Sequence, residues 1–226
     1  MTEPRANLLR RREALFAAGG LGAAAVGARL LLGSEDAAAA AGCVLQREVT
    51  EGPYYLDLDL VRRNIREDRH GIPLTLRLRV LNVNTCRVIR HAAVEIWHAD
   101  GSGTYSGVSG DSDTYLRGIQ RTNSKGWVRF ETIYPGWYRG RTPHIHMKVF
   151  VSGNEVHTGQ VFMRDAVSAK VYGRSVYAPR GQADTTNSED MIYSEAGRRA
   201  LLSLRRKGDR VADGYTGTLN IGVDPS

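Results

Sequence analysis

Residues 74–80 read Leu74, Thr75, Leu76, Arg77, Leu78, Arg79, Val80 (LTLRLRV). Apolar and polar side chains alternate without a break, which is the signature of a strand with one face buried and one face wet. The same reading extends to Ala92–His98 (AAVEIWH), Gly126–Tyr134 (GWVRFETIY) and His144–Val151 (HIHMKVFV). Residues 200–206 and 215–223 flank Lys207-Gly208-Asp209 and read as a hairpin. Clusters such as Asp100-Gly101-Ser102-Gly103 and Asn123-Ser124-Lys125-Gly126 punctuate the strands. Helical periodicity is confined to residues 164–172 and 189–197. Many short strands between turns predict an all-β, antiparallel β-sandwich with long loops and a few short helices.

The first 42 residues are of another kind. Arg10, Arg11 and Arg12 precede an uncharged Ala/Gly-rich stretch, Ala14–Ala28, and a second run, Ala37–Ala41. That order describes a secretory leader, with the paired arginines pointing to twin-arginine export. The apolar stretch is too short for a stable membrane span. Residues 43–226 then form one domain, and the protein is expected outside the cell. Ala41-Gly42-Cys43 also resembles a lipidation box, so a lipid anchor at Cys43 is the alternative. Cys43 and Cys86 are the two cysteines, and in an oxidising compartment an even pair reads as a disulfide.

Beyond the leader the chain carries 26 Lys and Arg against 20 Asp and Glu, a net +6. These charges are spread along the sequence, with small clusters at Arg198-Arg199 and Arg205-Arg206-Lys207. No helix-turn-helix, zinc-finger or aromatic-plus-basic motif accompanies them, so nucleic acid is not the expected partner.

Chemistry concentrates in residues 134–146, YPGWYRGRTPHIH. On a strand, His144 and His146 project from one side, about 7 Å apart along the chain, while Ile145, Met147, Val149 and Val151 form the opposite, core-facing row. Two imidazoles on one face can share a metal ion. Tyr138 lies on the loop leading back to them after the Pro135-Gly136 turn, and Tyr105 sits in a Gly-rich loop after the strand ending near His98. Phenols ionise near pH 10, so ligation by phenolate calls for a strongly Lewis-acidic cation such as ferric iron. His98 reads as a structural histidine, and Trp97, Trp127 and Trp137 as packing residues.

Five stretches in order resemble the intradiol ring-cleavage dioxygenases, the family of catechol 1,2- and protocatechuate 3,4-dioxygenases, in their secreted single-chain branch. They are Glu51–Leu56 (EGPYYL), Val94–Asp100 with Gly103–Ser106, Thr132–Tyr138, Arg141–His146 and Thr158–Gln160. The resemblance implies a non-haem Fe(3+) enzyme that uses dioxygen to open a small aromatic diol between its hydroxyl-bearing carbons, giving cis,cis-muconate-type products. It implies Tyr105, Tyr138, His144 and His146 as metal ligands, with Tyr134 the rival to Tyr138. Tyr138 would also be the internal base, Arg141 and Gln160 would flank the substrate ring, and Tyr54 and Tyr55 would line the pocket mouth. Only five residues separate Tyr138 from His144, fewer than in the intracellular enzymes. Two other readings stand beside it. One is a two-histidine-one-carboxylate metalloenzyme using Glu131, Glu155 or Asp100; the other is a non-catalytic extracellular sandwich that binds aromatics or polysaccharide.

Overall fold

A computed structural model describes residues 43–226, except 109 and 111; the leader read over 1–42 lies outside the described residues. Among the described residues, eight strands form two four-stranded sheets. One has the order β4-β1-β8-β7, built from β1 (Pro73–Asn82), β4 (Trp127–Ile133), β7 (Ser203–Arg206) and β8 (Tyr215–Val223). The other has the order β3-β2-β5-β6, built from β2 (Ala93–Trp97), β3 (Arg117–Arg121), β5 (His144–Val151) and β6 (Asn154–Phe162). Every pairing is antiparallel except that of β1 with β8, which run parallel. The expected hairpin of the C-terminal strands is present, joined through residues 207–214. Two short helices, α1 (Asp165–Tyr172) and α2 (Met191–Ala196), fall inside the two stretches with helical periodicity.

The alternation in residues 74–80 does what its period requires. Leu74, Leu76, Leu78 and Val80 point between the sheets and are almost wholly buried, while Arg77 is exposed on the outside. Across the core they meet Val94 and Ile96 of β2 and Ile145, Met147 and Val149 of β5. Each such side chain contributes about 1.5–3 kcal/mol through removal from water. β3 and β6 were not expected from the sequence. β3 (RGIQR) is polar along most of its length, and β6 loses its alternation at the bulge opposite Val149 and Phe150.

The packed row of β5 fixes the register of everything on its other face. With Ile145 and Met147 locked into the core, His144, His146 and Lys148 must face away from it, where loops cover them. One covering segment is the N-terminal stretch leading to Leu56. It is pinned by the Cys43–Cys86 disulfide, by a backbone bond from Gln46 to Gly222 (2.8 Å) and by one from Val49 to Thr158 (3.1 Å).

The disulfide closes a loop of 43 residues, which in the chain-entropy treatment stabilises the fold by up to about 4 kcal/mol. Reduction, or Cys86→Ser, is therefore expected to lower the unfolding free energy by about 2–4 kcal/mol in denaturant titration. An unchanged midpoint would show that the bridge carries no such load.

Candidate active site

Four side-chain atoms from three places in the fold converge outside β5. The Nε2 atoms of His144 and His146 are 3.1 Å apart. The Tyr138 hydroxyl lies 3.1 Å from His144 Nε2, and the Tyr105 hydroxyl lies 3.1 Å from His146 Nε2 and 3.4 Å from His144 Nε2. The two histidines, predicted to share a strand face, thus close on a single point. Tyr134 is excluded from it: its ring is wholly buried in the main core and its hydroxyl meets Ser168 Oγ at 2.8 Å.

Local structure explains the convergence. Asp100 Oδ1 accepts from the Ser102 and Thr104 amides (2.8 and 3.1 Å), folding the tight loop that delivers Tyr105. The Asp100 carbonyl accepts from Gly136 N (3.0 Å), which joins that loop to the turn delivering Tyr138. A Cβ on Gly136 would stand 2.1 Å from this carbonyl, so only glycine allows the two tyrosine loops to meet. On another side, a Cβ on Gly52 would sit 3.2 Å from His146 Cε1, so the N-terminal segment passes close over the ring. Trp97 stacks on His146 with centroids 5.0 Å apart and planes 10° from parallel.

The electrostatics favour neutral imidazoles. Burial, with help from the Arg141 charge, lowers His144 to about 3, and burial pushes His146 well below its ordinary value. His144 Nδ1 faces the Thr142 carbonyl at 2.7 Å and must carry the ring hydrogen, which leaves Nε2 as a bare lone pair. Burial raises the Tyr105 phenol well above its ordinary value and raises Tyr138 as well, the latter opposed by Arg141. Phenolates form here only beside a strong positive charge.

The donor set fits a metal ion. Neighbouring ligands on bonds of about 2.0–2.1 Å lie about 2.9–3.4 Å apart, the spacing of these four atoms. Among the described residues no carboxylate joins them, which overturns the two-histidine-one-carboxylate reading. Glu131 is held by Thr75 and Arg129, Glu155 by Lys148 and Thr158, and Asp100 by its own loop.

The remaining expected residues divide. Arg141 and Gln160 are at the site: Arg141 Nη1 reaches the Tyr138 hydroxyl (3.4 Å) and Nη2 donates to Gln160 Oε1 (2.6 Å). Gln160 Nε2 in turn donates to the Thr50 carbonyl (3.0 Å). Tyr54 is there too, stacked on Tyr105 at 4.4 Å and edge-on to Tyr138 at 6.1 Å. Tyr55 is set apart, against the Trp97 ring, donating to Glu95 (3.2 Å), whose carboxyl burial raises to about 7. His98 is satisfied by Ala99 O and Thr132 Oγ1 at 2.8 and 2.7 Å.

A family model for dioxygenases matches residues 50–171, the span that holds the four donors, Arg141 and Gln160. The chain belongs to the intradiol ring-cleavage dioxygenases. An intradiol ring-cleavage dioxygenase from Tetranychus urticae is 38% identical, with 81% of this chain and 96% of that one covered and a TM-score of 0.76. The dioxygenase domain of a dioxygenase carbohydrate-binding protein fusion from the cellulolytic bacterium Streptomyces sp. SirexAA-E is 26% identical, with 81% and 100% covered and a TM-score of 0.63. Catechol 1,2-dioxygenase from Pseudomonas arvilla C-1 shares the fold at 20% identity, with 79% and 61% covered and a TM-score of 0.58. No protein of curated function matches.

Asp190 is the residue of this intradiol site that sequence reasoning missed. It is almost wholly buried; Oδ2 accepts from Arg141 Nε (2.8 Å) and Thr142 N (2.9 Å), and Oδ1 from the Ile192 and Tyr193 amides that open α2. An aspartate before a helix signals a cap, but nothing in sequence ties it to an arginine 49 positions away. Asp190→Asn keeps the cap and loses the charge that orients the guanidinium. Turnover is expected to fall about ten- to a hundredfold with bound metal per chain unchanged, measured by steady-state kinetics and metal analysis. Parental turnover would show that Arg141 orients without it.

Proposed function

We propose that this dioxygenase is a secreted iron(III) enzyme that cleaves catechols between the two hydroxylated carbons to cis,cis-muconate-type products. The observation that carries the reading is the meeting of two phenol oxygens and two imidazole nitrogens within 3.1–3.4 Å. Tyr105, Tyr138, His144 and His146 would hold the ion. Ferric iron bound there would supply the Lewis acidity that turns the phenols into phenolates and opens a chelated diol to dioxygen.

The chain's own residues have distinct tasks. Tyr138 is the proton acceptor, its Oη taking a hydroxyl proton from the diol. It is suited to this because it sits on a loop, less buried than Tyr105, with Arg141 Nη1 within 3.4 Å of the same oxygen. Tyr105 is almost wholly buried under Tyr54 and stays as the fixed ligand. Arg141, clamped by Asp190 and Gln160, presents a fixed positive charge where negative charge builds on the ring, a preorganised stabilisation that needs no rearrangement during reaction. Tyr54 offers an aromatic wall for a flat substrate.

Secretion is supported by the Cys43–Cys86 disulfide, a bond suited to an oxidising compartment. It also occupies the sulfur that a lipid anchor at Cys43 would need. Among the described residues no helix is long and apolar enough to cross a membrane.

Purified enzyme given catechol in an oxygen electrode is expected to consume one dioxygen per ring and to yield a dicarboxylate labelled by ¹⁸O₂ at both new oxygens. Tyr138→Phe should lose about a hundredfold or more in turnover, as expected for removal of a general base, whereas Tyr134→Phe should retain the parental rate. A semialdehyde product, or uptake unaffected by Tyr138→Phe, would contradict the reading.

A further inference from the structure

The outer face of the β4-β1-β8-β7 sheet, on the far side of the core from the four donors, is basic in a way that the linear sequence hides. An open concavity of about 700 Å³ runs from this face past its β4 edge, lined by Arg77, Arg129, Arg205 and Lys207 of this sheet and its hairpin together with Arg63 from the segment before β1 and Arg121 at the end of β3, with Glu131 the one acid among its lining residues. Its net +5 is nearly the whole +6 of the chain beyond residue 42. Glu131 is committed to Arg129 at 2.5 Å. Among the described residues no carboxylate stands within ion-pair distance of Arg63, Arg77, Arg121, Arg205 or Lys207.

Register places these groups in rows. Arg129, Arg77, Thr218 and Ser203 stand side by side across the four strands, and Glu131, Thr75, Thr216 and Arg205 form the adjacent row. At ordinary strand spacing each row is about 14 Å wide. Arg77 and Arg129 are direct cross-strand partners, and like charges in that relation destabilise a sheet. An anion laid across the face removes that repulsion.

We propose that this face binds an acidic polysaccharide, a linear polymer of uronate sugars, and so holds the enzyme on such a polymer while the active site on the opposite sheet stays open. Guanidinium forks match planar carboxylates in two parallel hydrogen bonds, and the solvent-reached hydroxyls of Ser203, Thr216 and Thr218 suit sugar hydroxyls. Nucleic acid fits less well. Trp127, the aromatic side chain of this face, already carries Arg77 at 4.6 Å and Arg79 at 5.6 Å over its ring, so it is not an open platform for stacking bases. The proposal is independent of the metal reading, since none of its residues contributes to that site.

The test is affinity electrophoresis of the purified full-chain enzyme through gels containing polygalacturonate, neutral hydroxyethyl cellulose, or single- or double-stranded DNA. The expected result is retardation by polygalacturonate alone, relieved by salt. The double variant Arg77→Gln/Arg205→Gln should weaken binding about tenfold, as for loss of two exposed charge contacts. Arg198→Gln/Arg199→Gln, which removes the same charge elsewhere, should bind like the parent. Catechol turnover in both variants reports that each is folded and is expected to be unchanged. No retardation by polygalacturonate, equal loss in the two double variants, equal retention by neutral glucan, or stronger retention by DNA would each overturn the proposal.

Discussion

His144 and His146 stand on one face of β5 because Ile145, Met147 and Val149 are seated in the core on the other. A slip of one residue would exchange the two rows, putting imidazoles into hydrocarbon and methionine into the site. The hydrophobic packing of a single strand therefore sets the position of both nitrogen donors. The rest of the site is assembled against that fixed pair: two loops joined through the Asp100 carbonyl and Gly136, and an N-terminal segment held down by a disulfide.

Burial then determines the chemistry of the assembled donors. It keeps the imidazoles unprotonated and makes ionisation of the phenols costly, so the resting balance of the protein favours neutral groups. A multiply charged cation reverses the second effect without disturbing the first. Arg141 adds a positive charge that is close to Tyr138 and fixed in direction by Asp190 and Gln160. This gives the two tyrosines unequal surroundings, since Tyr105 is deeper and Tyr138 is nearer both the guanidinium and the surface.

Much of this was legible in the sequence because strand periodicity is a local signal. The alternation of residues 74–80 and 144–149 identified the sheet class, the core row and the pair of histidines. The choice of Tyr138 over Tyr134 rested on family resemblance, and the physical reason for it appears only in three dimensions, where Tyr134 points into the core toward Ser168. What stayed hidden depends on contacts between distant segments. Asp190 reads as a helix cap until Arg141 is found beside it. Tyr55 reads like its neighbour Tyr54, yet it follows a turn in a segment without regular structure and its hydroxyl goes to Glu95 instead. The arginines of β1 and β4 look unrelated to the Arg205-Arg206-Lys207 cluster until strand register lines them up.

The visible absorption spectrum of the purified enzyme, recorded before and after anaerobic addition of catechol, tests the four-donor centre most directly. Two phenolates on ferric iron give a red protein through ligand-to-metal charge transfer, and the band should shift when the diol binds and should change in Tyr105→Phe and Tyr138→Phe. A colourless iron-loaded protein, or a colour indifferent to both substitutions, would contradict the account.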